Sequence, residues 1–252
     1  GNSVDSSEYP VPEENDVRTF FGSAEAVGVN VIYSLRFKNG DPAYAARIAR
    51  IIRECNAGTL QYFAIGNEPG YYKDYDVYRE KWTAMRDAVL GEFPEAWFCG
   101  PDKNPSPDVC RNMIRDFGDE SGRLAMITQH SYPMGCSYKN PCWGENCDIS
   151  KLRYRDAGDA REDMLASDVW DIYEGIRNQI YGGLEGSTIP LRLTETNSYW
   201  FSGLDGASNT HASALWGIDY LYWWLSNGAH GLNFHTGDKT GGDITLPCQY
   251  AA

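Results

Sequence analysis

The feature that most constrains the fold is the alternation of short β-rich runs with amphipathic helical segments along the 252 residues. Residues 29–35 form one β-rich run. Asp41 then supplies a helix N-cap, and Pro42 occupies the first helical position. Apolar residues recur at helical spacing from Ala45 to Ile52, the stripe of a helix packed on a core. The pattern therefore predicts a strand followed by a covering helix.

The same alternation continues to the last predicted strand. Strands are predicted at 29–35, 60–65, 96–100, 124–130, 191–194 and 231–235, with helices at 14–26, 41–52, 77–93, 109–117, 169–180 and 215–225. Repeated βα units with nearly continuous apolar strands indicate an α/β parallel sheet covered by helices. The spacing is typical of a (β/α)8 TIM barrel, in which we expect the tryptophans of the last helix, Trp216, Trp223 and Trp224, to lie in the core. The rival is a doubly wound open sheet, which usually carries a Gly-rich nucleotide turn after its first strand; none is present there.

The charge balance argues against two classes of partner. With 22 Lys and Arg against 35 Asp and Glu, the formal charge is 22 − 35 = −13, which repels the phosphates of nucleic acid. No apolar run approaches the roughly 20 residues that cross a bilayer, so no membrane partner is expected. Aromatic residues make up 13% of the chain. They line carbohydrate sites but also fill cores, so composition leaves the ligand class open.

The cysteines bear on the compartment and on metal binding. Cys136, Cys142 and Cys147 crowd one polar loop, which indicates disulfides and a secreted, extracellular protein. Unpaired cysteines in a cytosolic protein are the alternative. Because the total is seven, one thiol is free or its partner lies outside this piece. The absence of any CxxC and the presence of only four His argue against a zinc site, and we expect no cofactor.

The first catalytic candidate is Glu68. An apolar strand runs directly into Asn67-Glu68-Pro69. Pro69 disfavours helix at the preceding residue and cannot donate to a strand ladder, so the strand ends there. Glu68 then lies at the carboxyl end of a strand, where barrel enzymes place reactive groups. The alternative is a glutamate that caps or salt-bridges a loop.

The second candidate is Glu195, which ends the strand at 191–194 and is followed by Thr196 and Asn197. Paired carboxyl groups suit glycoside hydrolysis, by double displacement at a separation of about 5 Å and by inversion when farther apart. A general acid needs apolar surroundings, which the strand before Glu68 offers. A nucleophile must stay ionised among donors, and Glu195 has such neighbours and lies within reach of Tyr132.

Four further residues are candidate substrate contacts. His130 and Tyr132 end the strand before the cysteine loop, where they can orient a nucleophile or contact sugar hydroxyls. His235 ends the last strand. Structural roles are the alternative for both histidines. Tyr199 follows Glu195 and can either stack on a sugar face or pack within its loop.

At these residues the chain resembles glycoside hydrolase family 79, the β-glucuronidase and heparanase-like enzymes. The motifs are Gly-Asn-Ser at 1–3, Gly-Asn-Glu-Pro at 66–69, Thr-Glu-Thr-Asn at 194–197 and Asn-Phe-His-Thr-Gly at 233–237. The resemblance implies that Glu68 is the acid/base and Glu195 the nucleophile of a retaining enzyme. It also implies that Asn67 contacts the sugar 2-hydroxyl and that Asn2 and Asn197 bind substrate.

The resemblance further implies a domain organisation and a reaction. Residues 1–252 correspond to a partial (β/α)8 catalytic domain, incomplete at both ends: strands one and two and the last helix are missing, and the family's C-terminal β-sandwich is absent. The expected partners are a glycan or glucuronide and a missing segment of the same protein. The expected reaction is release of β-linked glucuronic acid. Another sugar specificity or a non-catalytic carbohydrate-binding fragment are the alternatives; a nucleotide-dependent enzyme is disfavoured because no phosphate-binding Gly loop is present.

Overall fold

The computed structural model describes residue 5 and residues 10–118, 122–142, 147–201 and 203–235. Within these ranges helices and strands alternate. The helices are α1 (Glu14–Val27), α2 (Pro42–Asn56), α3 (Tyr75–Glu92), α4 (Pro107–Phe117), α5 (Ala157–Met164), α6 (Val169–Tyr181) and α7 (His211–Ser226). The strands are β1 (Val31–Leu35), β2 (Leu60–Ile65), β3 (Phe98–Lys103), β4 (Leu124–Ser131), β5 (Leu191–Thr196) and β6 (Ala229–Phe234).

The chain divides into two compact units, which are described separately. Unit one comprises Gly1–Gln129 and Tyr181–Pro190, and unit two comprises His130–Ile180 and Leu191–Ala252. The last two residues of β4 therefore belong to unit two.

Unit one is a parallel sheet covered by helices. β1 pairs with β2, β2 with β3, and β3 with β4, all in parallel register. Phe63 and Phe98 on adjacent strands are fully buried. Trp82 of α3 packs against Phe98 with ring centroids 5.6 Å apart and against Phe117 of α4 at 4.1 Å. Burial of these large rings is the main source of stabilisation for such a helix layer.

Helix α2 begins as predicted. The Asp41 carboxylate accepts a hydrogen bond from the Tyr44 backbone N–H at 2.7 Å, and Pro42 occupies the first turn. The Asp41 carboxylate satisfies one N–H group that the first turn leaves without a helical partner, and Pro42, which has no N–H, loses no hydrogen bond there. The predicted apolar stripe is buried, from Ala45 through Ile52.

Unit two contains the parallel pair β5 and β6, with Leu191 opposite Ala229 and Thr196 opposite Phe234. Helix α7 packs through a row of aromatic residues. Trp216 stacks on Tyr220 with centroids 4.9 Å apart, and its ring meets the edge of Phe234 at 6.5 Å. The other apolar row of this helix is exposed: it comprises Leu215, Ile218, Tyr222 and Leu225. The aromatic row carries more apolar surface, so its burial contributes more to the free energy of folding.

These elements confirm the predicted parallel βα organisation. All six predicted strands are present, although β3 is displaced toward Lys103 relative to the predicted 96–100. Helix α5 was not predicted. Trp216 and Trp224 lie in the core as expected, whereas Trp223 is half-buried. Closure into an eight-stranded barrel and the assignment of residues 1–252 to one catalytic domain stay predictions.

The predicted disulfide is present for one pair of cysteines. Cys142 and Cys147 are bonded, whereas the thiol of Cys136 is buried and unpaired. Cys248 lies outside the described residues. None of the described helices has the length and apolar character needed to cross a membrane. Over the same ranges, no three His, Cys, Asp or Glu side chains are grouped to hold a metal ion.

Candidate active site

Three predicted site residues of unit two lie together at strand ends. Glu195 is the penultimate residue of β5. Tyr132 directly follows β4, and His235 directly follows β6. The Tyr132 hydroxyl donates to Glu195 Oε1 at 2.9 Å and lies 2.9 Å from His235 Nδ1. His235 Nδ1 is itself 3.8 Å from Glu195 Oε1. Tyr132 thus lies within reach of Glu195 as expected, and the structure adds His235, which the sequence did not link to them.

With Glu195 taken as a carboxylate, the direction of the hydrogen bonds follows from the number of protons available. An ionised carboxylate only accepts, so the single proton of the Tyr132 hydroxyl is directed to Glu195. The bond between Tyr132 and His235 then requires a proton on Nδ1 of the imidazole. The Glu195 side chain is only 12% exposed, whereas that of His235 is 39% exposed. A charge-assisted bond to a largely shielded carboxylate is stronger than one at the open surface, and it leaves Oε2 available to react.

A buried hydroxyl network lies beneath this cluster. The Thr196 hydroxyl donates to the Ser131 carbonyl at 2.6 Å, and Tyr220 of α7 places its hydroxyl 3.1 Å from both the Thr196 and the Ser131 hydroxyls. Burial raises the pKa of Tyr220 to about 12, so it remains a neutral donor. These contacts tie the ends of β4 and β5 to α7 and hold Glu195 in place. Sequence analysis did not single out Tyr220, although its neighbours on the same helical row, Trp216 and Trp224, were expected in the core.

Three other predicted contacts are buried. Asn197 donates from Nδ2 to the His235 carbonyl at 3.0 Å, and its Oδ1 accepts from the Ser198 N–H at 2.6 Å. His130 and Tyr199 are also almost fully buried. The burial of Tyr199 favours the packed-loop alternative. Direct contact of these three residues with a sugar stays a prediction that their burial does not favour.

In unit one, Glu68 follows a sharp backbone corner at the end of β2. Gly66 has φ +87°, and a Cβ there would lie 2.7 Å from Cβ of Phe37, so the corner requires glycine. Glu68 itself has φ +49°, and its N–H donates to the Asp102 carbonyl at 3.1 Å. A left-handed conformation at a glutamate is uncommon and marks a constrained position.

Asp5 organises this corner and was missed by sequence analysis. Its Oδ1 accepts from the N–H groups of Phe37 and Lys38 at 2.6 and 2.7 Å, and its Oδ2 accepts from the Asn67 N–H at 3.2 Å. Asp5 and Asn67 are both buried. One carboxylate therefore links the segment after β1 to the residue before Glu68. Asn2, predicted to bind substrate, lies outside the described residues.

The surroundings of Glu68 correct one expectation. Glu68 is exposed, so the described residues do not enclose it in the apolar pocket expected for a general acid. Instead, Lys103 at the end of β3 places its ammonium 4.5 Å from the centroid of the Tyr72 ring. Burial lowers the pKa of Lys103, and the Glu68 carboxylate opposes that shift. Lys103 is thus a cationic neighbour of Glu68 that the sequence did not reveal.

Comparison with known proteins defines the fold. No protein-family model and no curated protein matches the chain. Among solved structures, it is similar to a 4-O-α-L-rhamnosyl-β-D-glucuronidase from Fusarium oxysporum 12S, with 18% identity and a TM-score of 0.62 over 96% of this chain and 54% of that one. It is also similar to a β-xylosidase from Caulobacter crescentus CB15, with 15% identity and a TM-score of 0.56 over 87% and 48%.

A third similar structure is the GH39 enzyme from Xanthomonas axonopodis pv. citri, with 14% identity and a TM-score of 0.55 over 90% of this chain and 48% of that one. The chain thus spans about half the length of each of these glycoside hydrolases. At these identities the likeness establishes a shared fold.

Proposed function

We propose that the chain carries the catalytic residues of a retaining glycoside hydrolase, with Glu68 as acid/base and Glu195 as nucleophile. The observation that carries the proposal is the contact between Tyr132 and Glu195 at the carboxyl ends of parallel strands. A tyrosine that donates to one oxygen of a shielded carboxylate orients the other oxygen for attack. The fold shared with glycoside hydrolases supports the same class.

The reaction proceeds in two displacements. Glu68 gives its proton to the glycosidic oxygen as that oxygen leaves the anomeric carbon, while Glu195 Oε2 attacks the same carbon and forms a glycosyl ester. Glu68, now a carboxylate, then takes a proton from water, and the water oxygen displaces Glu195. The sugar leaves with its original anomeric configuration, and both glutamates return to their starting states.

We propose glucuronic acid as the sugar released, and membership of family 79, because of the motifs around Glu68 and Glu195. One of the similar structures is a rhamnosyl-glucuronidase. A second candidate is a neutral pentose or hexose, favoured by the similarity to a β-xylosidase. We also propose that the protein is secreted, with the Cys142–Cys147 disulfide as support.

A panel of aryl β-glycosides tests the proposal. Wild-type protein should release nitrophenol from the β-glucuronide faster than from the β-xyloside or β-glucoside. Glu195→Ala should abolish turnover, and azide should restore part of it by forming a glycosyl azide of inverted configuration. The matched control is Glu162→Ala, an exposed glutamate of the same unit that should leave activity unchanged. Full activity of Glu195→Ala without azide contradicts the nucleophile assignment.

A second variant separates the role of Glu68. Glu68→Gln should slow hydrolysis of substrates whose leaving group needs protonation, such as alkyl glycosides, far more than that of dinitrophenyl glycosides. An equal loss on both substrates would mean that Glu68 does not donate the proton. If wild-type protein hydrolyses none of the panel, the enzyme proposal fails and the non-catalytic alternative is favoured.

A further inference from the structure

Helices α6 and α7 of unit two enclose a surface groove of about 540 Å³ that lies on the helical layer, away from the strand ends. Its volume is within the range of small-ligand sites, about 300 to 1,000 Å³. Both aromatic and ionisable side chains line its walls. The residues that line it are Trp170, Asp171, Glu174, Arg177, Asp219, Tyr222, Trp223, Ser226 and Asn227.

The aromatic wall of the groove is exposed yet held in place. Trp170 is 54% exposed and Tyr222 is 65% exposed. The Trp170 indole N–H donates to Asp219 Oδ2 at 2.8 Å, which fixes the ring of one helix against the other. A large apolar ring that is both accessible and immobilised loses little side-chain entropy when a ligand stacks on it.

The groove has a defined length. At its other end Arg177 of α6 donates from Nε to the Asn227 carbonyl at 2.9 Å. Arg177 is seven positions after Trp170 in α6. At a rise of 1.5 Å per helical residue, the groove extends for about 10 Å. That is long enough for two linked sugar rings.

We propose that this groove binds a neutral oligosaccharide, as a site separate from the candidate active site. The apolar C–H face of a sugar ring stacks on Trp170 or Tyr222, and its hydroxyls donate to the carboxylates of Asp171 and Glu174. The Arg177 guanidinium supplies donors for ring and hydroxyl oxygens. The inference rests on this chemistry and does not depend on Glu68 or Glu195.

The charges and exposure of the groove argue against two other ligands. Three carboxylates, from Asp171, Glu174 and Asp219, face one guanidinium, so a glycan rich in uronate or sulfate is repelled. An organic cation is bound best by aromatic rings that surround it. Rings as exposed as Trp170 and Tyr222 form a stacking platform rather than an enclosure.

Calorimetric titration with cellotetraose and xylotetraose tests the site. The protein carries Glu68→Gln and Glu195→Gln so that neither probe is cleaved. We expect one of the two to bind, and Trp170→Ala and Tyr222→Ala each to weaken binding at least about tenfold. The matched control is Trp97→Ala, which removes an exposed tryptophan of unit one and should leave binding unchanged. Melting temperatures within the series verify that the variants are folded.

Several results would overturn the inference. They are no binding of either neutral probe at millimolar concentration, or binding that Trp170→Ala leaves intact. Equal or tighter binding of tetragalacturonate or of tetramethylammonium at Trp170 would assign the site to another ligand. A dimer that Trp170→Ala dissociates would make the groove a contact between copies. If wild-type protein hydrolyses no aryl glycoside, only the proposed function is refuted, since the titration does not measure turnover.

Discussion

The Tyr132 hydroxyl offers the sharpest test of the candidate nucleophile. Tyr132→Phe removes the 2.9 Å hydrogen bond to Glu195 Oε1 and leaves the ring in place. A hydrogen bond to a charged group contributes about 1.5 to 3 kcal/mol. Because Glu195 is only 12% exposed, water replaces the lost donor poorly and the upper part of that range applies. At 1.36 kcal/mol per tenfold, the upper part of the range, about 2.2 to 3 kcal/mol, lowers kcat/KM by about 40- to 160-fold.

The assay is hydrolysis of an aryl β-glycoside at saturating and at low substrate concentration. A urea unfolding curve of each variant verifies that it is folded. The loss should appear mainly in kcat, since Tyr132 acts on the nucleophile rather than on substrate binding. The matched control is Tyr138→Phe. It removes a hydroxyl that contacts Tyr154 at 3.1 Å in the same unit but does not contact Glu195.

A double-mutant cycle with His235 extends the test. If His235 Nδ1 donates to the Tyr132 hydroxyl, His235→Ala should reduce activity in wild-type protein but change it much less in the Tyr132→Phe background. Activity of Tyr132→Phe within twofold of wild type, or an equal loss in Tyr138→Phe, would refute the reasoning.

The remaining predictions concern stability and reactivity. Asp5→Ala should lower the free energy of unfolding by about 3 kcal/mol, because buried N–H groups lose their acceptor; a urea midpoint equal to that of Asp5→Asn would contradict this. Burial raises the pKa of Tyr199 and Tyr220 to about 12. The stability they contribute is therefore present below their ordinary value near 10 and lost from there to about 12, by roughly 1.4 kcal/mol per pH unit each. Tyrosinate absorbance at pH about 11 that disappears in Tyr199→Phe or Tyr220→Phe, while the protein stays folded, would refute this. Burial also raises the pKa of Cys110 to about 12. Iodoacetamide should therefore label half-buried Cys55 well before Cys110 by peptide mass spectrometry, and equal labelling would contradict it.

Local signals made much of the fold predictable. The bounds of β2 matched the prediction because the run from Leu60 to Ile65 is apolar except for Gln61 and ends at Gly66. The start of α2 followed from Asp41 and Pro42. The prediction for β3 ended too early because Pro101 resembles a strand terminator, whereas the strand continues to Lys103.

The residues that were not predicted are those whose contacts come from parts of the chain far away in sequence. Tyr220 was not singled out because its hydroxyl contacts, Ser131 and Thr196, are 89 and 24 residues away along the chain. Asp5 left no local signal, because its partner Asn67 is 62 residues away along the chain. Tyr132 and Glu195 were paired correctly because adjacent parallel strands bring their carboxyl ends to one edge.

The left-handed backbone at Glu68 lowers the stability of the fold at a residue that the proposed activity requires. Glycine and asparagine adopt φ +49° with less strain, of which a glutamate stores about 1 kcal/mol. A corner chosen for folding alone would therefore carry one of those residues. Glu68→Asn removes the proposed proton donor, so a variant without that activity is expected to be more stable than the wild-type protein.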